Sequence, residues 1–385
     1  IWSIDSLLRV FQWDYPSILD GKSHWDVVMH VPHKATDYNL KFNASSGLEG
    51  LMIGLSDIIS KPADQRTPVS IEYRILGNAH SLDVVSDDLL DLSAIIDEES
   101  WRFEVASTVV TGKGEVNANP DMNSTAIFDF EFLNLTAFMA KDRATAGNWK
   151  LKASNVPSLR VNVDDFVWND WRLSNVEIGS DRHPRGMVIN TIKVNDPHLQ
   201  VNGKGSWLRR SWRLDEETTF SFSLSSSNLG DTLQNLGYSR YVDRSKMQAA
   251  LHWRWPGAPY SFSWESLSGK TSVELDKGII SDIEPGAGGR FLGLFNLLYL
   301  PKRLGLDFAD VYKKGFGFES VTGTYVFDGG DAVTQDTAIS ASAADLAMMG
   351  RIGVADQDYD LVTVVRPHST VATFAGGTLV AGPTI

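Results

Sequence analysis

The chain of 385 residues has no cysteine, which removes disulfides, thiol nucleophiles and thiolate metal sites together. It is short of positive charge: 35 Lys and Arg stand against 48 Asp and Glu, a net of −13. Binding to phosphate backbones depends on clustered cations, so no nucleic-acid partner is expected. Histidines are few and scattered, and the nearest pair, His30 and His33, has Pro32 between them, which breaks the helical spacing that metal pairs use. No metal and no cofactor is expected. The densest apolar run, Phe291-Leu-Gly-Leu-Phe-Asn-Leu-Leu-Tyr-Leu300, falls well short of the ~20 apolar residues a bilayer span needs. The chain opens at Ile1-Trp-Ser-Ile with neither initiator Met nor leader, which reads as a piece excised from something longer.

Catalytic signatures are missing as well. The acids of Asp87-Asp88, Asp97-Glu98-Glu99 and Asp164-Asp165 are adjacent in sequence, so on a strand they point to opposite faces and cannot share a proton. No serine sits in a Gly-x-Ser-x-Gly elbow. An enzyme is not expected.

What the chain does have is alternation. Phe128-Asp-Phe-Glu-Phe132, Thr219-Phe-Ser-Phe-Ser-Leu-Ser225, Leu251-His-Trp-Arg-Trp255 and Tyr260-Ser-Phe-Ser-Trp264 each place large apolar residues on one parity and polar ones on the other. Period two describes antiparallel strands with one oily and one wet side. Short strands punctuated by Gly, Asn, Asp and Pro dominate, so a mainly β fold with a few short helices is expected. Each aromatic taken fully out of water contributes roughly 1.5–3 kcal/mol, so something must cover the oily side. A second protein layer is one answer and a ligand is the other. Twelve tryptophans with several acids also leave a carbohydrate-active β-sandwich open.

Two Gly-Lys-Gly steps, Gly112-Lys113-Gly114 and Gly203-Lys204-Gly205, lie ~90 residues apart in similar surroundings. Each follows a Trp-Arg pair (Trp101-Arg102, Trp171-Arg172) and precedes an aromatic strand from Phe128 or Phe220, then a helix-like piece at 134–141 or 228–237. Gly350-Arg-Ile-Gly353, followed by Tyr359 to Val365, is a weaker third echo. The spacing predicts a degenerate stacked repeat. The glycine steps lack the remainder of a phosphate loop and read as tight turns or strand bulges. The expected division is 1–120, 121–266, and a C-terminal region 267–385 with an amphipathic segment at 288–304. There Phe291, Leu294, Phe295 and Leu298 form a helical stripe beside Arg290, Lys302 and Arg303. Such a helix either lies over an open sheet end or beds into a lipid interface. Trp207-Leu-Arg-Arg-Ser-Trp-Arg213 fits an interfacial belt and an exposed hairpin loop equally.

The stretch 267–382 resembles the C-terminal part of YhdP-type members of the AsmA-like superfamily, the TamB relatives of Gram-negative envelopes. The pieces that carry the resemblance are Gly269-Lys-Thr-Ser-Val273 with Asp276-Lys-Gly278, Glu284-Pro-Gly-Ala-Gly288, Leu300-Pro-Lys-Arg-Leu304, Leu306-Asp-Phe-Ala-Asp310, Lys314-Gly-Phe-Gly-Phe318 and Asp328-Gly-Gly-Asp-Ala332. Upstream, Ser46-Gly-Leu-Glu-Gly50 through Lys61 is similar too, departing where the family's proline-rich step is replaced by Leu55-Ser-Asp-Ile-Ile59.

The resemblance implies an elongated, curled antiparallel sheet forming an open apolar groove. It implies a periplasmic protein, anchored in the inner membrane by an N-terminal helix absent from this sequence, that passes phospholipids between inner and outer membranes, with inner-membrane protein partners and no catalytic residues. On that reading Phe128, Phe130, Phe132, Phe220, Phe222, Leu224, Leu251, Trp253, Trp255, Tyr260, Phe262 and Trp264 line the groove by parity, and the 288–304 stripe with Lys302 and Arg303 serves the groove end or a membrane. The rival is an envelope assembly or tethering scaffold whose apolar face is buried by protein.

Overall fold

A computed structural model describes residues 19–31, 39–54, 58–87, 89–117, 124–138, 153, 156–210, 215–280, 316–342, 344–368 and 378–381. The 288–304 segment, with Phe291, Leu294, Phe295, Leu298, Lys302 and Arg303, lies outside the described residues, as do 211–213. The chain divides into two compact units, Ile1–Arg182 and His183–Ile385.

Unit 1 begins with β1 (Leu19–Gly21), β2 (Asp26–His30), β3 (Asn39–Ser46), β4 (Leu51–Gly54) and β5 (Ser60–Lys61). It continues with β6 (Val69–Leu76), β7 (Ala79–Ser86), β8 (Leu90–Ile96), β9 (Ser100–Ser107) and β10 (Val110–Asn117). β11 (Thr125–Asn134), β12 (Ser158–Trp168) and β13 (Trp171–His183) complete it. Its main sheet runs β2-β3-β6-β7-β8-β9-β10-β11-β12-β13. All pairs are antiparallel except β11 with β12. β1, β4 and β5 form a small separate sheet.

Unit 2 starts with β14 (Gly186–Asn195), β15 (Leu199–Arg209), β16 (Glu216–Ser226), helix α1 (Leu229–Asn235), β17 (Val242–Asp243) and β18 (Met247–Pro256). Then come β19 (Ser268–Ile280), β20 (Phe316–Asp328), β21 (Asp331–Ser340), β22 (Ala344–Gly353), β23 (Asp358–Pro367) and β24 (Thr378–Ala381). They pair in the order β14-β15-β16-β18-β19-β20-β21-β22-β23-β24, with β17 on β19. In each unit the ladder is linear, and no described pairing joins its two outer strands. The fold is mainly β and antiparallel, as the alternation requires.

Local chemistry sets the hairpins. Asp328-Gly-Gly-Asp331, one of the motifs singled out above, is the turn between β20 and β21. Gly329 and Gly330 there have φ of 60° and 93°, the left-handed pair that a two-residue hairpin matched to strand twist requires. The described residues of the 46–61 motif gather at one end of β3. The Lys61 ammonium, itself buried, donates to the carbonyls of Leu48, Leu51 and Pro62 at 2.7, 2.8 and 3.0 Å. Three carbonyl acceptors use its three donors, which is what makes a buried ammonium tolerable.

Three expectations change on this fold. Tyr260-Ser-Phe-Ser-Trp264 is no strand: it forms two 3-10 turns, Pro259–Ser261 and Trp264–Ser266. Its alternation is genuine, but Pro256 and Pro259 have no N–H to offer a ladder, and Gly257 at φ 92° turns the chain out of the sheet. The Gly-Lys-Gly steps are not turns either, because both lie mid-strand, in β10 and β15. Bulges do adjoin them, one at Thr111/Gly112 and one at Ile189/Ile192, on the strand facing the second copy. The two copies match through glycine strand, aromatic strand and short helix (Leu135–Phe138 and α1), then diverge. β11 is followed by a parallel crossover and β16 by an antiparallel return. The Trp-Arg pairs also differ in place, in β9 beside the first copy and in β13, two strands ahead, for the second.

Candidate functional site

Residues directly opposite one another in adjacent strands share a face, so the register shows which side chains stand together. In unit 1 one cross-strand row consists of Met29, Phe42, Tyr73, Leu82, Ala94, Phe103, Gly114, Phe128, Val161 and Ile178. The next row on that face is Val27, Ala44, Ile71, Val84, Leu92, Val105, Gly112, Phe130, Val163 and Val176. Neither row contains a charge. Between them, on the other face, run Val28, Asn43, Glu72, Asp83, Ser93, Glu104, Lys113, Asp129, Asn162 and Glu177. Along these rows one face of the ten-strand sheet is hydrocarbon and the other largely polar; the next row on the apolar face, Phe132, Asp165 and Ser174, brings in a carboxylate that pairs with Arg172.

The Gly-Lys-Gly steps belong to this surface. Gly114 pairs with Phe103 and Phe128, and Gly112 with Phe130. A Cβ built on Gly114 would lie 2.6 Å from the Phe103 ring and 2.7 Å from that of Phe128. The missing side chains are therefore the space the rings occupy. Phe128 and Phe130 stack along β11 with centroids 5.9 Å apart and planes 13° from parallel.

Unit 2 repeats the device. Gly203 faces Phe222 and Gly205 faces Phe220; a Cβ at Gly203 would come within 2.4 Å of the Phe222 ring, and the two phenylalanines stack at 5.3 Å. The row through Phe222 is Ile192, Gly203, Phe222, Leu251, Thr271, Tyr325, Thr334, Gly350 and Leu361. The row through Phe220 is Ile189, Gly205, Phe220, Trp253, Gly269, Phe327, Ala332, Ile352 and Tyr359. Leu224 pairs with Val201 and Ala249 in a third. The intervening face carries Lys204, Ser221, His252 and Lys270.

The two units differ in how far this apolar face is covered. In unit 1, Tyr73, Leu82, Phe103, Phe128, Phe130 and Phe132 are all only half-buried, with Val163 and Val176 as deeper points. In unit 2, Phe220, Phe222, Leu224, Leu251 and Trp253 are likewise half-buried. Beyond β19 the picture changes: Phe318, Tyr325, Phe327, Ile339, Met348, Ile352 and Leu361 have at most 7% of their surface exposed and form one cluster. There the sheet curls around its own side chains.

A strap at 256–267, the connection between β18 and β19, lies on the boundary. It packs Trp264 against Trp253 and Phe327 at 6.2 and 6.4 Å, and Phe262 against Trp253, Trp255 and Trp264 at 6.2, 5.2 and 5.2 Å. Trp255 and Trp264 are buried, while Phe262 and Tyr260 are exposed. Of the aromatics expected on one lane, then, those of β11 lie on unit 1's apolar face, and those of β16 and β18 share unit 2's through strand pairing. Tyr260, Phe262 and Trp264 reach unit 2's apolar face through the strap instead.

Polar groups on the apolar side are few, and the charged ones, the Asp165–Arg172 pair near Phe132 and Glu216 beneath the Trp207 indole N–H, stand toward the strand ends. Trp253 Nε1 donates to Thr271 Oγ1 at 2.8 Å. Tyr325, Thr334 and Thr337 form a buried hydroxyl chain. Burial pushes the Tyr325 phenol above its ordinary value, keeping it neutral. Asp336, next to that chain, is held below the usual carboxylate range first by the Thr324 amide. The surface depressions lie on the polar side: the one lined by Asp91, Glu104, Lys113, Asp129 and Asp164 encloses about 660 Å³ and is wide open. No group of acids or histidines among the described residues is arranged to hold a metal ion. No described helix is long and apolar enough to cross a membrane.

The paired glycine and phenylalanine rows were beyond sequence reasoning, which had the two motifs but not the register that brings them face to face. Comparison with known proteins gives this surface a context. Residues 91–384 match the model of the YhdP protein family. The chain is also similar to the intermembrane phospholipid transporter YhdP of Escherichia coli strain K12, with 24% identity over 294 residues. That alignment covers 72% of this chain and 23% of the E. coli protein, so the chain spans under a quarter of that relative. No solved structure matches. Since the family match covers most of its length, the chain belongs to the YhdP protein family.

Proposed function

We propose that this member of the YhdP family carries phospholipid acyl chains along the apolar faces of its sheets, as a non-enzymatic segment of a lipid transporter between the inner and outer membranes. The observation that carries the reading is the half-buried apolar face: the rows through Phe128, Phe130 and Phe222 hold no charge and are left without a described second layer over unit 1 and at Phe222, Leu224 and Leu251 of unit 2. A soluble protein rarely leaves so large a contiguous apolar surface bare. A sixteen-carbon tail moved fully from water onto such a face gains on the order of 12 kcal/mol at ~0.8 kcal/mol per methylene. That is comparable to its gain in a bilayer, so exchange between the two is near neutral.

In this reading Phe128, Phe130, Phe132, Phe220, Phe222, Leu224, Leu251 and Trp253 touch the tails, with Trp255, Tyr260, Phe262 and Trp264 at the edge of the path. Head groups stay in water at the strand ends. The segments 1–120 and 121–266 act as successive groove repeats. The region 267–385 ends the groove, with its 288–304 stripe (Phe291, Leu294, Phe295, Leu298, Lys302, Arg303) guiding lipid or meeting a membrane. The setting is the periplasm, with an inner-membrane anchor and inner-membrane protein partners supplied outside this sequence. The scaffold alternative requires protein to cover these same rows.

Native mass spectrometry of the purified chain is the test. Phospholipid adducts that survive desalting and vanish on detergent exchange are expected; a homogeneous, lipid-free species from the same preparation contradicts the reading.

A further inference from the structure

Within the row through Phe220, Gly269 sits between two large aromatics, Trp253 and Phe327. A side chain there is excluded, since a Cβ would lie 2.1 Å from the His252 carbonyl oxygen. Trp264 of the strap packs against both flanking rings, with centroids 6.2 and 6.4 Å away. Arg254 pairs with Ser268, so a hairpin loop of the usual 2–5 residues would have closed this connection. The 256–267 strap is far longer and is folded back onto the apolar face. Its first part is fastened: Thr218 Oγ1 donates to the Gly257 carbonyl at 2.7 Å, the Gly257 amide to the Glu216 carbonyl at 2.7 Å, and Trp255 Nε1 to the Ala258 carbonyl at 3.0 Å. Its middle is more open to solvent, with Tyr260 54% and Phe262 36% exposed. On one side of it the face is half-open, and on the other it is filled by the chain's own residues.

We infer that the strap is the stop of the acyl path in unit 2: Phe262 and Trp264 take the place of a lipid tail over β18–β20. They confine tails to β14–β19 and keep them out of the cluster around Phe327 and Ile352. This rests on the transport reading and adds where the path ends. The hydroxyls of Tyr325, Thr334 and Thr337 lie just past the stop, bonded to one another. A lipid-filled path would have little use for them, whereas a permanently packed core tolerates such a satisfied chain. The two rings that form the stop, Phe262 and Trp264, are apolar, so a tail can compete with Phe262 for the same face.

The test is ultraviolet crosslinking of full-length protein carrying benzoyl-phenylalanine at Phe222, before the strap, or at Tyr359, beyond it, with phospholipid in excess. Phe222 is expected to yield phospholipid adducts and Tyr359 almost none. Phe262→Ser loses three ring contacts and is expected to raise the Tyr359 yield roughly tenfold while leaving the Phe222 yield unchanged. Ser261→Ala, an exposed position of the same strap, changes neither. Thermal unfolding of each variant identifies those that have kept the fold. Equal adducts at Phe222 and Tyr359 in the unmodified strap overturn the stop, as does an unchanged Tyr359 yield in folded Phe262→Ser. An absence of adducts at Phe222 itself removes the transport reading and the stop with it.

Discussion

Replacing Phe222 with aspartate is expected to cut phospholipid transfer at least ~30-fold, while aspartate at the neighbouring Ser223 leaves transfer within about twofold. The contrast follows from the register. Phe222 stands between Gly203 and Leu251 on the uncharged face, and Ser223 stands between Asn202 and Ala250 on the wet one. A carboxylate at 222 has to keep its water, so every tail that slides past must give up hydrocarbon contact or dehydrate the charge. About 2 kcal/mol of added barrier, modest for an incompletely desolvated carboxylate, gives that factor. Phe222 is the cleaner choice than Trp253, whose ring also seats Phe262, Trp264 and Phe327; a charge there would damage folding and passage together. Transfer between donor and acceptor vesicles, with thermal unfolding measured in parallel, checks the pair. Similar losses at 222 and 223 would mean that the face assignment fails.

The second large effect is on stability. Gly203→Val is expected to destabilise unit 2 by about 2–3 kcal/mol and to lower its melting temperature by roughly 5–10 °C. The atoms nearest the new Cβ belong to the Phe222 ring and, further off, to Ile192, so the strain is side chain against side chain. Phe222→Ala in the same chain should therefore relieve part of it, giving a coupling of about 1–2 kcal/mol in a double-mutant cycle. Gly112 offers no such rescue, because its φ is 149° and a Cβ would meet the Asp129 carbonyl oxygen and the Phe130 Cα. Purely additive losses at 203 and 222 would contradict the idea that the glycine exists to seat the ring.

These two predictions also mark what the sequence makes legible. A side chain's face depends only on parity within its own strand, so Phe128 to Phe132 and Phe220 to Leu224 declare theirs locally. Element type is nearly as local, and the aromatic strands and short helices of both copies could be anticipated, whereas the Gly-Lys-Gly steps spell turns and lie mid-strand. What opposes each residue is not local. That Gly203 lies under Phe222, and Gly114 between Phe103 and Phe128, depends on a register set across the whole sheet. Tyr260 to Trp264 fails for a related reason: its spelling is that of a strand, but Pro256, Gly257 and Pro259 decide the backbone first. The strap's packing was hidden too, since nothing local says that Trp264 comes to lie against Trp253 and Phe327.

The most direct test of the central claim is parity-resolved crosslinking on β11 and β16, with benzoyl-phenylalanine placed in turn at Phe130, Glu131, Leu224 and Ser225. An acyl path on the apolar faces predicts phospholipid adducts at Phe130 and Leu224 and background at Glu131 and Ser225. Adducts to protein alone at Phe130 and Leu224, or lipid adducts independent of parity, would contradict it.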